Sequence, residues 1–333
     1  MKTKLFNLYL LVVVFVFTQF TYAQKQADSL FLIQEDEITK VVDGDTFKFK
    51  HLDKSTRLLC IDTEETYKGK NAEEKTAAIS ENWLEYYKQQ KLEKKSDHPI
   101  KLDSPFGYEA ALWAQDFFKD AKRIRIEKDD TLRSIDMFGR YLVYVFAEKN
   151  GKFVNYALEC VRLGYSPYFN KYGNSARFHK EFVEAQEYAK ANKLGIWNPK
   201  TKCYPDYEER VKWWNERADQ LDNFYAKYAN DKSVINLLNS DAEVNLKNNL
   251  GKEISVFGNI GEIYSDRFPY LMRVSLSKEV SFDIVVEEEY LPVFESIDTK
   301  RMDSYYFYCT GKLENREKKF KMKLKSKDQI RFE

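Results

Sequence analysis

Polar and apolar positions alternate through ITKVVDGDTFKFK (38–50), with DGDT in the middle, and this pattern predicts a β-hairpin. TRLLCI (56–61) follows as a short apolar run and reads as a second, buried strand. The period then lengthens. In 70–95, Ile79, Trp83 and Tyr86 or Tyr87 recur at helical spacing, until SDHPIKLDSP breaks the pattern. FGYEAALWAQDFFKDA predicts another helix, RIRIE and YLVYVF predict strands, and NYALECVRLG predicts a helix closed by Gly164. Amphipathic helices are expected over 175–193, ending in LGIW, and over 207–228. From 251 onward the period is two: five short runs are separated by turn residues, and no later stretch is helical for long.

This texture predicts an α+β chain. The reading places a first folded unit at 36–199, a helical connector at 205–249 and a small all-β unit at 250–333. Five short strands with glycine-marked bends suggest a partly open OB-like barrel for the last unit, with a small sandwich as the alternative. Residues 1–23 are set apart. Lys2 and Lys4 precede an apolar run that ends at TYAQ, which reads as a secretory signal peptide cleaved after Ala23. Export to the periplasm or the medium is therefore expected, with no membrane span after cleavage. Hydrophobic residues make up 43 % of the 333, enough for globular cores. The net charge is +1, and loss of the two leader lysines makes it −1, so any affinity for nucleic acid must come from local patches. Cys60 and Cys309 sit in apolar runs as small core residues, and Cys160 with Cys203 is the one disulfide pairing the sequence leaves open. The three histidines show no metal-ligand spacing.

The candidate chemistry lies at strand ends. Asp45 is in the DGDT turn, Arg57 starts TRLLCI, Asp62 and Glu65 end it, and Arg140 in DMFGR precedes the next strand. Carboxylates suit a hard cation such as calcium, and arginines grip phosphate bidentately without losing their proton. A carboxylate left free can take a proton from water. Each residue alone is an ordinary solvated strand end.

Together, VVDGDTF, TRLLCIDTEET, DMFGRYLVYVF and a helix ending in KLGIW resemble the staphylococcal nuclease (thermonuclease) family over about residues 37–197. The resemblance implies an OB-type five-stranded barrel with packed helices and a calcium-dependent nuclease that cuts DNA or RNA to leave 3′-phosphates. It implies Asp45, Asp62 and the Thr63 carbonyl as calcium ligands, and Glu65 as general base. Arg57 and Arg140 would be the phosphate-binding catalytic arginines, and Tyr172 would lie against the substrate base. A monomer is expected. The alternative is an inactive module of the same kind that binds nucleic acid or protein in the cell envelope.

Three departures stand out. Glu64 replaces the family's proline and reads as a solvated loop residue, or as an added acid beside the metal site that shifts its affinity. Phe138 replaces a tyrosine, losing a hydroxyl but keeping an aromatic face. The segment 66–104 is long, and it reads as surface decoration or as a lid or wall. In the last strand, Lys319, Lys321, Lys323 and Lys325 alternate with Phe320, Met322 and Leu324. This stripe reads either as a single-strand-binding face or as the lysine guard of an edge strand.

Overall fold

The computed structural model describes residues 30–94, 98–130, 134–136, 138–228, 231, 233–297, 305–316 and 319–332. The leader and its cleavage site lie outside them. The first unit contains β1 (Leu32–Asp36), β2 (Ile38–Val41), β3 (Phe47–Phe49), β4 (Thr56–Leu58), β5 (Ile124–Glu127), β6 (Tyr141–Lys149) and β7 (Lys152–Asn155). It also contains α1 (Ala72–Ser80), α2 (Trp83–Glu93), α3 (Pro105–Lys119), α4 (Tyr156–Arg162) and α5 (His179–Ala191).

β1 and β2 are one strand bent at Glu37. β2 pairs with β3, β1 with β5, β5 with β6, and β6 in parallel with β4. β3 meets β4 through the Thr56 hydroxyl, which donates to the Phe47 carbonyl at 3.2 Å. The contacts thus run β2–β3–β4–β6–β5 and return to β1, the circuit of a five-stranded barrel. Its core holds Phe47, Leu58, Ile61, Ile126, Val143, Val145, Tyr156 and Phe182. The hairpin is present as the alternation requires, but the unit begins at Leu32, four residues earlier than the pattern suggested.

Two elements differ from expectation. The long helix over 70–95 is two helices, broken at Glu81–Asn82, so that Trp83 and Tyr87 on α2 can be buried. TRLLCI is a strand only from Thr56 to Leu58. Cys60 takes a left-handed φ of 64° and turns the chain. None of the four cysteines, all among the described residues, is in a disulfide.

α6 (Tyr207–Tyr228) follows, and then β8 (Val234–Asn236), β9 (Glu253–Gly258), β10 (Glu262–Tyr264), β11 (Tyr270–Ser275) and β12 (Ser281–Val286). The chain ends with β13 (Phe307–Lys312), β14 (Glu314–Arg316), β15 (Lys319–Lys323) and β16 (Ile330–Phe332). β9 and β10 are separated only by 259–261, and β13 and β14 only by Leu313. Pairing runs β10–β11–β12, then β12 with β15 in parallel, then β15–β14, while β13 pairs β9. The C-terminal all-β region therefore repeats the ladder circuit of the first unit, in accord with an OB-like barrel. Phe320 and Met322 enter its core and the lysines alternate outward. β15 lies between β12 and β14, so the lysines do not guard a sheet edge.

α6 holds both units. Tyr204, Tyr207 and the Trp83–Tyr87 pair form one aromatic cluster at its start. Leu221 and Phe224 at its far end pack on Phe257, Tyr306 and Tyr308 of the second barrel, with Phe224 and Phe257 stacked at 4.0 Å. Between them Arg217, fully buried, donates from Nε to the Lys171 carbonyl (3.0 Å) and from Nη2 to Asn259 Oδ1 (2.7 Å). The expected connector is thus a shared wall. Phe224→Ala is expected to lower stability by about 3–5 kcal/mol, because it opens a cavity at this joint. Denaturant unfolding is the check, and an unmoved midpoint would show that the second barrel does not lean on α6.

Candidate active site at the barrel mouth

Residues 62–66 leave the Cys60 turn and run across the mouth of the first barrel. Five extended residues would carry Asp62 roughly 17 Å from Arg57. The turn instead folds Asp62 back, and Arg57 Nη2 meets Asp62 Oδ1 at 2.6 Å. The expectation of one rigid strand spanning the charges is corrected here: the bend is what joins them. The turn is pinned by the Phe169 amide donating to the Cys60 carbonyl (3.0 Å) and the Asp62 amide donating to Ser166 Oγ (2.8 Å).

The other guanidinium nitrogen, Arg57 Nη1, reaches Asp45 Oδ1 at 3.0 Å. The second oxygen of Asp45 accepts from the Thr63 amide at 3.2 Å. This closeness needs Gly44, where an added Cβ would stand 2.7 Å from the Thr63 side chain. Asp43 of the same turn, which no sequence signal singles out, is also buried, and Lys68 approaches it at 3.5 Å. Glu65 is the accessible carboxylate of the group, at 43 % side-chain exposure.

Lys101 is not foreseen by the sequence motifs. Its ammonium lies 2.6 Å from Asp62 Oδ1 and 3.9 Å from Glu65 Oε1. It belongs to the end of the long 66–104 segment, which therefore reaches the site and is not decoration. Nothing in SDHPIKLDSP marks one lysine out, because its place is set by contacts far along the chain.

Burial dominates the titration of this cluster. It pushes Asp45 up to about 7, against the pull of Arg57 and with a further push from Asp62 and Asp43. Burial also raises Asp62, but Lys101 and Arg57 outweigh it and hold that carboxyl below the usual range. Asp62 thus carries the charge, and Asp45 is the member closer to protonation. Glu65 is raised, first by burial and then by Asp43 and Asp62.

Arg140 stands apart from this contact set. Its guanidinium pairs with Asp136 at 2.7 Å and lies 5.3 Å from the ring centre of Phe138, so the aromatic face expected there is kept. The β4–β6 register pairs Arg57 with Leu142, which puts Arg140 two residues behind, at the same end of the adjoining strand. Tyr172 is near Arg57: its ring meets Phe169 edge-on at 5.7 Å, and Phe169 faces the Arg57 guanidinium at 5.9 Å. Lys319, Lys321, Lys323 and Lys325 belong to the second barrel; Lys321 pairs with Glu314 (3.3 Å) and Lys323 with Glu287 (3.2 Å).

Glu64 is not solvated. It is 1 % exposed, accepts from the Tyr204 amide at 2.5 Å and the Tyr207 hydroxyl at 2.9 Å, and receives the Ser104 hydroxyl. Ser104 in turn caps α3, accepting from the Gly107 amide at 2.8 Å, with Pro105 at the first helical position. α3 begins so close to the 64–65 backbone that a Cβ on Gly107 would lie 2.0 Å from the Glu65 carbonyl oxygen.

Asp45 and Asp62, with a main-chain carbonyl at Thr63, offer the hard oxygen donors that calcium prefers. Among the described residues no three His, Cys, Asp or Glu side chains gather as a metal-holding set. The donor chemistry fits a hard cation, and Lys101 already stands on part of it.

Burial sets Glu64 at about 7, against an ordinary 4.5. The folded protein keeps a proton there that the unfolded chain releases. The stabilisation is fully present below about pH 4.5 and is lost as pH rises toward 7. Glu64→Gln imitates the protonated acid. It is expected to flatten this fall and to leave the protein more stable than wild type at pH 8, by on the order of 2 kcal/mol. Asp45, raised by the same burial, leaves a residual slope in both proteins. Urea unfolding in chelator at pH 5, 6, 7 and 8 measures the difference, and parallel profiles would contradict it.

Residues 55–199 match the family model described as Staphylococcal nuclease homologue. Among curated proteins the chain is similar to the uncharacterized protein MJ1439 of Methanocaldococcus jannaschii, 29 % identical over 164 residues. That alignment covers 49 % of this chain and 70 % of the relative. The span matched by the family model contains Arg57, Asp62, Glu65 and Arg140 and ends before Tyr204 and α6. The barrel circuit and the clustered acids and arginine agree with that match, and residues 55–199 are a staphylococcal nuclease-like domain.

Proposed function

We propose that the protein is an exported phosphodiesterase that cleaves DNA or RNA at the mouth of the first barrel. The observation that carries this is the convergence of Arg57, Asp45, Asp62 and Glu65 at one place, with Phe169 and Tyr172 alongside. Arg57 would exchange its aspartates for the phosphate oxygens and hold the extra charge of the five-coordinate phosphorus. Glu65, accessible and made more basic by burial, would take the proton of the attacking water. Arg140 would leave Asp136 to hold the same phosphoryl group. Tyr172 would pack on a base. Asp45, Asp62 and the Thr63 carbonyl would hold a divalent cation, calcium on the family resemblance, supplying Lewis acidity when bound. Loss of the 5′ oxygen would leave a 3′-phosphate. Export rests on the leader sequence alone; among the described residues no helix is long and apolar enough to cross a membrane.

One observation favours the binding-module alternative. Arg57 and Lys101 already neutralise the aspartates, so the site is satisfied without substrate. Cleavage separates the readings. Arg57→Ala, Glu65→Gln and Arg140→Ala are each expected to cut the rate at least about 100-fold on DNA or RNA, and a chelator is expected to stop it. Folded wild-type protein that leaves both polymers intact in millimolar calcium removes the enzyme reading.

The outward lysines of β15 would steady a long strand, although Glu314 and Glu287 take part of their charge. Changing Lys319, Lys321, Lys323 and Lys325 to alanine is expected to weaken binding of long single strands. It should also reduce the salt slope by about 0.7 for each phosphate that is no longer neutralised. Equal affinity and slope for the two proteins, measured by fluorescence anisotropy, would leave these lysines without a role.

A further inference from the structure

The stretch 99–104 crosses the barrel mouth as a strap, and every second residue in it, Ile100, Leu102 and Ser104, is tied down on one side. The Ile100 carbonyl accepts from Arg210 Nη2 (2.5 Å) and from the Tyr87 hydroxyl (3.3 Å). The Leu102 amide donates to the Tyr204 hydroxyl at 2.9 Å, and that hydroxyl donates back to the Leu102 carbonyl at 2.5 Å. The Ser104 amide donates to the Glu65 carbonyl (3.0 Å), and the Ser104 hydroxyl holds Glu64. Ile100 is buried in the aromatic cluster, and Leu102 packs against it. With residues 100 and 102 facing that cluster, the alternation of an extended chain sends residue 101 the other way, over the acids.

That side chain is an ammonium, and it stands on Asp62 and beside Glu65, the carboxylates that a divalent cation would use or adjoin. Together Asp43, Asp45, Asp62 and Glu65 face Arg57, Lys68 and Lys101, so four carboxylates meet three cations. Arg57 is placed by its own strand. Lys101 is placed by the strap, and the strap by Tyr87, Tyr204 and Arg210. Tyr204 and Arg210 lie beyond the span that matches the nuclease family.

We propose that Lys101 is a tethered cation that competes with the divalent metal for Asp62 and Glu65, so that the strap, held by Tyr204 and Arg210, sets how tightly the site takes a metal ion. This rests on the reading of Asp45, Asp62 and Thr63 as a cation site. A docked Lys101 raises the metal concentration needed for occupancy. Removing its charge frees the Asp62 oxygen and makes the site more negative, and both changes favour a dication.

The test uses the full chain, stripped of metal and titrated with calcium chloride alone, by calorimetry and by the shift of the thermal midpoint. Lys101→Met is expected to bind calcium at least tenfold more tightly than wild type, about 1.4 kcal/mol. Lys101→Gln is expected to do the same, should the methionine variant fold poorly. Lys101→Arg, which keeps the charge, is expected to stay near wild type. Equal or weaker calcium binding by both neutral variants overturns the proposal, as does the absence of calcium binding in every variant. A tenfold gain in a protein that cuts neither DNA nor RNA upholds the competition and defeats the nuclease reading. Efficient cutting with unchanged calcium affinity does the reverse.

Discussion

A single buried acid holds the mouth of the first barrel together. Glu64 is closed off from water by two segments far from it in sequence: the N-terminus of α3 through Ser104, and the chain entering α6 through the Tyr204 main chain and the Tyr207 hydroxyl. Burying an acid is costly unless its oxygens are bonded. Here both oxygens find donors, and the neighbours they recruit are the ones that position everything else. Ser104 fixes the end of the strap, and Tyr204 fixes its middle. The residues on either side of Glu64, Thr63 and Glu65, are thereby fixed against Asp45 and Lys101. The family's proline at this position would stiffen the loop from within; the acid fixes it from outside, through contacts to the rest of the chain.

The mouth of the barrel is built from charge held under constraint. Arg57 spans Asp45 and Asp62 only because Cys60 accepts a left-handed turn and Gly44 accepts the close approach of Thr63. Burial then pushes the acids toward protonation and the basic partners pull them back, with opposite net results for Asp45 and Asp62. A site of this kind responds strongly to one added or removed charge, because in a poorly solvated pocket each charge acts over a short distance with little screening.

The two barrels follow one circuit, with a bent first strand and one parallel pairing each, β4 with β6 and β12 with β15, though no fixed-period repeat is visible in the sequence. They meet along α6. A helix that was expected to link them instead packs on both, through an aromatic cluster at each of its ends, and the fully buried Arg217 bonds to both sides at once, at Lys171 next to Tyr172 and at Asn259 in the bend of the second barrel. The Lys171–Tyr172 loop and the second barrel therefore share one support.

By itself the sequence determined what depends on neighbours within a few residues. Alternation set the 38–50 hairpin and the inward Phe320 and Met322 of β15, helical spacing marked Trp83 and one of Tyr86 and Tyr87, and the local motifs marked Asp45, Arg57, Asp62 and Glu65 as a set. The nuclease-like character of 55–199 was legible from those motifs. Tertiary structure decided the burial of Glu64, the arrival of Lys101 at Asp62, the place of β15 inside its sheet and the role of α6 as a wall. It also left Cys160 and Cys203 as separate thiols. Each of these depends on partners that only the folded chain brings together: Glu64 meets Tyr204 and Tyr207 some 140 positions away, and Lys101 meets Asp62 across 39. An isolated acid or lysine has the same preferences everywhere in a sequence; which oxygen it meets, and whether water reaches it, is fixed only by packing.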